Sequence, residues 1–271
     1  MKLFVATLRK LIRRPATYIT FGLLVGLMAL IFLAVGATAR QQTNAAGQQA
    51  ALLLVTFPGA YTFIISFILG LGGLFGVIYG AAIAGSEWTW GTLKAAVARG
   101  ESRSRYQLWS FAAIALMLGV GLLGAFVVGV IVAIIGATLA GVSTAGLNDS
   151  ATLGQLPELL ARGWLAIIEE GALGFAIATL ARSQLAGIGV GIAVYFGEQF
   201  ATIFLPDIVK YLPFNAASAV VAVSDSGGFG GGNGAGFARL DPDAALLVVT
   251  VWLIGALIVT TLFTERAEIS G

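Results

Sequence analysis

The chain contains no cysteine and no histidine. Disulfides, thiol catalysis, zinc held by Cys or His, haem ligation through those residues and any Ser–His or Cys–His nucleophile are therefore excluded. Charge is scarce as well: 10% of the 271 residues are Asp, Glu, Lys or Arg, against about 25% in an average soluble domain. With 58% hydrophobic residues and a mean hydropathy of +0.95, a soluble fold of this size could not cover its apolar surface, because about a quarter of the extended-chain area stays wet. The chain reads as an integral membrane protein. A nucleotide-binding loop is also missing: none of the lysines, Lys2, Lys10, Lys94 and Lys210, follows a GxxxxG sequence. Three methionines without Cys or His disfavour copper handling, and no metal site is expected.

A bilayer core needs about 20 apolar residues as a helix. Long uncharged runs predict six spans, at about 16–39, 60–84, 107–141, 163–181, 185–205 and 244–264. Pro58 marks a break before the second, and polar loops are expected at 40–49 and 142–162. The fold expected is an all-α integral membrane protein, one transmembrane domain over 1–271, with no internal repeat. Lys and Arg are unevenly placed. Lys2, Arg9, Lys10, Arg13, Arg14, Lys94, Arg99, Arg103, Arg105, Arg182 and Arg266 fall on one side of this topology, and Arg40, Arg162, Lys210 and Arg239 on the other. Cytoplasmic loops carry the excess. Both termini are expected inside, in a plasma or inner membrane, and no nucleic-acid partner is expected. Tyr18, Tyr106, Trp109 and Trp164 fall near the expected interfaces, whereas Trp252 falls mid-span.

Outside the spans, residues 1–14 read as an amphipathic interfacial helix. Phe4, Leu8, Leu11 and Ile12 form its apolar face, its cations meet lipid headgroups, and Pro15 ends it. The loop GSEWTWGTLKAAVARGESRSR places Trp90, Leu93, Ala96 and Val97 on one face of a short helix at about 88–99. Gly100 is its stop signal and Ser102 the cap of the next helix. Its apolar face needs a cover, lipid or a partner protein. Residues 206–243 form the largest segment on the other side. Their first part reads as one or two short helices docking back toward the membrane, and 227–236, with seven glycines, as a flexible linker.

Within the spans, Gly72, Gly76 and Gly80 make a doubled GxxxG series, and Gly22/Gly26 and Gly187/Gly191 shorter ones. Such faces let helices approach closely in lipid, within one subunit or across a dimer. Glu169 and Glu170 are expected about two turns in from the outer end of the fourth span, and Glu198 in the outer half of the fifth. Charge in lipid is costly, so these three face protein or water, or are protonated. They read either as a polar patch on a translocation path or as a structural hydrogen-bonded cluster. A Glu–Glu pair also occurs in intramembrane metalloproteases of the CAAX-processing type, but those use EExxxR and histidines; here Gly174 stands at the arginine position. The chain is not expected to be an enzyme.

Glu87, then Gly91-Thr92-Leu93-Lys94, then Arg99 and Ser102-Arg103, together with Tyr211–Ala219 (YLPFNAASA) before the last span, resemble permease subunits of ABC-2-type transporters. The resemblance covers most of the chain, and the GTLK loop is its most specific part. It implies two permease subunits, identical or sisters, each seated on a separate ATP-binding subunit that carries ATP and Mg. It makes the short helix the coupling helix, with Glu87, Trp88, Trp90, Gly91, Thr92, Leu93, Lys94, Val97, Arg99 and Arg103 as coupling residues, and export the expected direction. It also places the path between subunits, near spans two and five. Few polar groups line the spans, which favours a lipid-like, peptide or hydrophobic drug substrate. A proton-coupled carrier using Glu169, Glu170 and Glu198 is the alternative, and a membrane scaffold a third reading.

Overall fold

The structure, a computed structural model, describes residues 2–42, 44–221 and 239–267. The expected glycine linker at 227–236 lies outside the described residues. Eleven α-helices and no strand occur among them. These are α1 Lys2–Ile12, α2 Pro15–Thr38, α3 Ala45–Val55, α4 Gly59–Thr89, α5 Thr92–Ala98, α6 Arg103–Ala140, α7 Ser150–Ala181, α8 Gln184–Phe204, α9 Pro206–Val209, α10 Pro213–Ala219 and α11 Pro242–Arg266. Six of them, α2, α4, α6, α7, α8 and α11, are long and apolar enough to cross a membrane.

Local chemistry sets the helix ends. Proline opens α2, α9, α10 and α11, where its missing N–H would have had no intrahelical acceptor anyway. Asn44, Asp149, Ser183 and Asp241 cap α3, α7, α8 and α11, each accepting a backbone N–H of the first turn. Gly91, at φ 65°, makes the left-handed turn between α4 and α5.

Three expected boundaries are corrected. Residues 45–55, placed between loop and span, form α3, which Asn44 starts and which stops at Val55, just short of Pro58. The expected loop at 142–162 is half helix. Asp149 caps α7 thirteen residues before the expected start of the fourth span, and the helix continues through Pro157. The short helix expected at 88–99 begins only at Thr92, because α4 runs on to Thr89 and Trp90–Gly91 form the turn.

α4 and α7 form the centre of the bundle. In their most apolar windows 67% and 61% of residues are buried, against 17–28% for the other four spans. Small residues allow this approach. A Cβ built on Gly80 would collide with the Gly171 carbonyl, one on Gly174 with the backbone of Val77, and one on Gly76 would lie 3.3 Å from the Ile167 oxygen. Gly76 and Gly80 therefore pack inside this chain, against α7, and Gly72 adjoins Leu24 and Ile167. A second close crossing joins α2 to α6, where a Cβ on Gly136 would lie 2.7 Å from the Phe32 oxygen. Gly22 and Gly26 meet nothing within 4 Å.

The described ends of α1 and α11 lie at the same end of the bundle. Arg103 donates to the carbonyls of Thr264, Glu265 and Ala267 at 3.3, 3.1 and 2.7 Å, and α1 packs along α6. Leu11 is fully buried with Ile83, Phe111 and Phe175, and Phe4 meets Trp109 edge-on, with ring centroids 5.9 Å apart. The apolar face of α1 is thus covered by the bundle. Ile12, grouped with that face in the sequence, is exposed, since neighbouring residues on a helix point about 100° apart.

Candidate functional site

Two constellations stand out, one at the α4–α5–α6 end and one halfway along the bundle. At the first, Glu87 occupies the last turn of α4 and is 1% exposed. Its carboxylate pairs with Lys10 of α1 and accepts from Thr92 of α5 and Tyr106 of α6. One side chain thereby ties four helices. Ser86 beside it accepts from Arg14 at 2.8 Å, and the Arg14 guanidinium lies 4.9 Å from the Trp90 ring centre. Arg182, which closes α7 in the left-handed region at φ 50°, lies 5.2 Å from the Trp88 ring and 5.4 Å from the Phe263 ring.

This arrangement redistributes the expected coupling residues. Glu87 is turned inward and bonded. Trp88 is half-buried against Arg182 and Phe263. Leu93 is 1% exposed, so it and Ala96 seat α5 on its own chain rather than offering a surface. Thr92 is bonded to Glu87, and Arg103 holds the end of α11. Of the three expected anchors, Trp88, Trp90 and Leu93, only Trp90 presents its ring, at 64% exposure. Gly91 adjoins it in the turn, Lys94 and Arg99 are exposed, and Val97 is half-buried.

The second constellation contains the three span glutamates. The early start of α7 puts Glu169 nineteen residues along a 32-residue helix, roughly 28 Å from its beginning at 1.5 Å per residue. It therefore lies near mid-helix, not two turns from an end. Glu169 and Glu170 are buried, as is Glu198 of α8, which packs against α7. A Cβ on Gly73 would fall on the Glu170 carboxyl, so α4 makes room for this acid by having no side chain there. Glu198 accepts from the backbone N–H and the side-chain amide of Asn215, both at 3.1 Å. Asn215 Oδ1 in turn faces Thr202 Oγ1 at 3.4 Å, a hydroxyl that donates to the Glu198 carbonyl at 2.9 Å. Tyr195, one turn before Glu198, donates to the Gly70 carbonyl at 3.0 Å and meets Phe214 edge-on at 5.2 Å.

Several carboxyl oxygens are left over. Both oxygens of Glu169, Oε2 of Glu170 and Oε1 of Glu198 are buried without a hydrogen-bond partner among the described residues. Buried polar atoms in native folds are almost always paired. None of the ion pairs found among the described residues involves these three acids. Glu198 also lines a cleft of about 360 Å³, formed with Leu173 and Ile177 of α7, Pro213 and Phe214 of α10, and Trp252 of α11. Trp252, out of place as an interfacial residue, donates its indole N–H to the Tyr211 carbonyl at 3.0 Å. The segment α9–α10 folds back onto α11 there, which accounts for a mid-span tryptophan.

Sequence reasoning missed Gly73, Lys10, Tyr106, Asn215 and Trp252 as site residues. Gly73 was visible only as a glycine beside the GxxxG series. Asn215 lay inside YLPFNAASA without an assigned partner. No protein-family model matches this chain, and a search of curated proteins finds no match either.

Proposed function

We propose that this chain is the permease subunit of an ATP-driven exporter of the ABC-2 type. It pairs with a second permease, identical or sister, and sits on a separate ATP-binding subunit that holds ATP and Mg. The Glu87 end faces the cytoplasm, in keeping with the excess of Lys and Arg on that side, and lipid surrounds the bundle. The chain itself is not an enzyme.

The observation that carries this reading is the Glu87 junction. A partner pressing on Trp90 and α5 acts through Thr92 on Glu87, and from there on α1, α4 and α6 together. α4 is unbroken from Glu87 to Gly73, a lever of about 21 Å at 1.5 Å per residue, and Gly73 abuts Glu170. An exposed tryptophan on a tethered turn is the kind of anchor that carries binding energy at interfaces. Beyond the Gly91 turn, the path from Glu87 to Gly73 is one continuous helix.

A second reading, a proton-coupled carrier, is favoured by one specific feature, the three buried carboxyl groups without basic partners among the described residues. Extraction of the full chain from its own membrane in mild detergent, followed by mass spectrometry, separates the two. A stoichiometric protein with Walker motifs is expected. A stable chain that purifies without any ATPase, and moves substrate under a proton gradient, would replace the exporter reading with the carrier.

A further inference from the structure

The cleft at Glu198 joins features of unlike chemistry. Its wall is apolar and aromatic, from Leu173, Ile177, Phe214 and Trp252. Its ionisable group is Glu198, 3% exposed, with Oε2 committed to Asn215 and Oε1 without a partner among the described residues. On α7, Leu173 and Ile177 follow Glu169 and Glu170 at spacings of three, four, seven and eight, which puts the cleft wall and the two acids on one helix face. Glu169 and Glu170 are buried like Glu198, and no ion pair found among the described residues involves any of the three.

We propose that this cleft binds a lipophilic organic cation, with Glu198 as its counter-ion and Phe214 and Trp252 as aromatic walls for its body. Trp252 spends its indole N–H on Tyr211, so its ring is held in place and offers the site only its apolar surface and π-electrons. A cation against such a ring is attracted by its π-electrons, more strongly the further it is desolvated. A bare metal ion is a poor match. No group of three or more Asp or Glu side chains able to hold a metal occurs among the described residues, and hard cations need six or more oxygens. A neutral lipid tail would leave the Glu198 oxygen buried without a partner. The volume of about 360 Å³ suits a small drug-like body. That such a cation is an exported substrate rests on the exporter reading, but occupancy of the cleft does not.

The test uses the full-length chain in nanodiscs of neutral lipid and radiolabelled tetraphenylphosphonium, with empty nanodiscs as background. Tetraphenylborate, the same body with opposite charge, serves as competitor. Saturable binding is expected, displaced by unlabelled cation and not by tetraphenylborate. Glu198→Gln keeps shape and an acceptor for Asn215 and is expected to weaken binding at least tenfold. Trp252→Leu leaves the acids untouched and is expected to weaken it about threefold or more; it serves as the second variant if Glu198→Gln does not remain monodisperse. No saturable binding, equal displacement by the anion, or undiminished binding in a well-folded variant would overturn the proposal. A copurifying ATPase with no cation binding would leave the exporter standing and remove only this site. Cation binding without any ATPase would keep the site and assign it to a carrier.

Discussion

Removing the Glu87 carboxylate takes the acceptor from Tyr106, unpairs the partly exposed Lys10 and leaves Thr92 only the Glu87 carbonyl at 3.3 Å. Each buried donor left without an acceptor costs about 1–3 kcal/mol. Glu87→Ala is therefore expected to lower the thermal midpoint of the detergent-solubilised chain, by more than alanine substitution of the exposed Arg105. Two neighbouring hydrophobic positions separate stability from coupling. Leu93 is buried and Trp90 exposed. Leu93→Asp places a charge among apolar groups and is expected to reduce the amount of folded protein. Trp90→Asp is expected to leave folding intact and abolish stimulation of the partner's ATP hydrolysis. Size-exclusion profiles and ATPase assays on both variants decide this. The sequence pattern puts both residues on one face only if one helix continues through Gly91; the left-handed turn there rotates Trp90 away from the face of α5.

At the level of elements, the α4–α7 contact should govern stability. Gly80→Leu forces side-chain atoms into the Gly171 backbone, whereas Gly22 has open space. Overpacking costs about 1–3 kcal/mol, so Gly80→Leu should lower yield and melting temperature while Gly22→Leu leaves both near wild type. The start of α7 carries a pH dependence. Thr152 donates to Asp149 through both its amide and its hydroxyl, which holds that carboxyl below its ordinary value. A depressed folded-state value means the cap contributes above the unfolded value, about 3.9, and is lost as pH falls through the folded one. Amide exchange should show Thr152 protected at pH 5, with protection lost only as pH falls below the ordinary aspartate value of about 3.9. The six apolar helices were legible, since about 20 uncharged residues have few other uses. The extension of α7 was not, because 150–162 carries Pro157 and polar residues that read as loop, while the Asp149 cap signal is one residue long.

For the whole molecule, the sequence separates Glu170 from Glu198 by 28 residues and places Gly73 on another span. Their meeting depends on which helix packs at the centre, and hydropathy does not rank the spans by burial. The doubled glycine series was the available clue, and it points to α4 as a close-packed helix without saying against what. The same holds at the other end, where Glu87 was legible as part of a motif but its partners Lys10 and Tyr106 come from helices distant in sequence. The exporter reading depends on the Trp90 turn meeting a partner outside this chain. The most direct measurement is a photo-crosslinking amino acid at position 90 in the full-length protein, irradiated in its native membrane. The account predicts one dominant adduct, to a protein carrying Walker motifs. Adducts to lipid alone, with the protein folded and inserted, would contradict it.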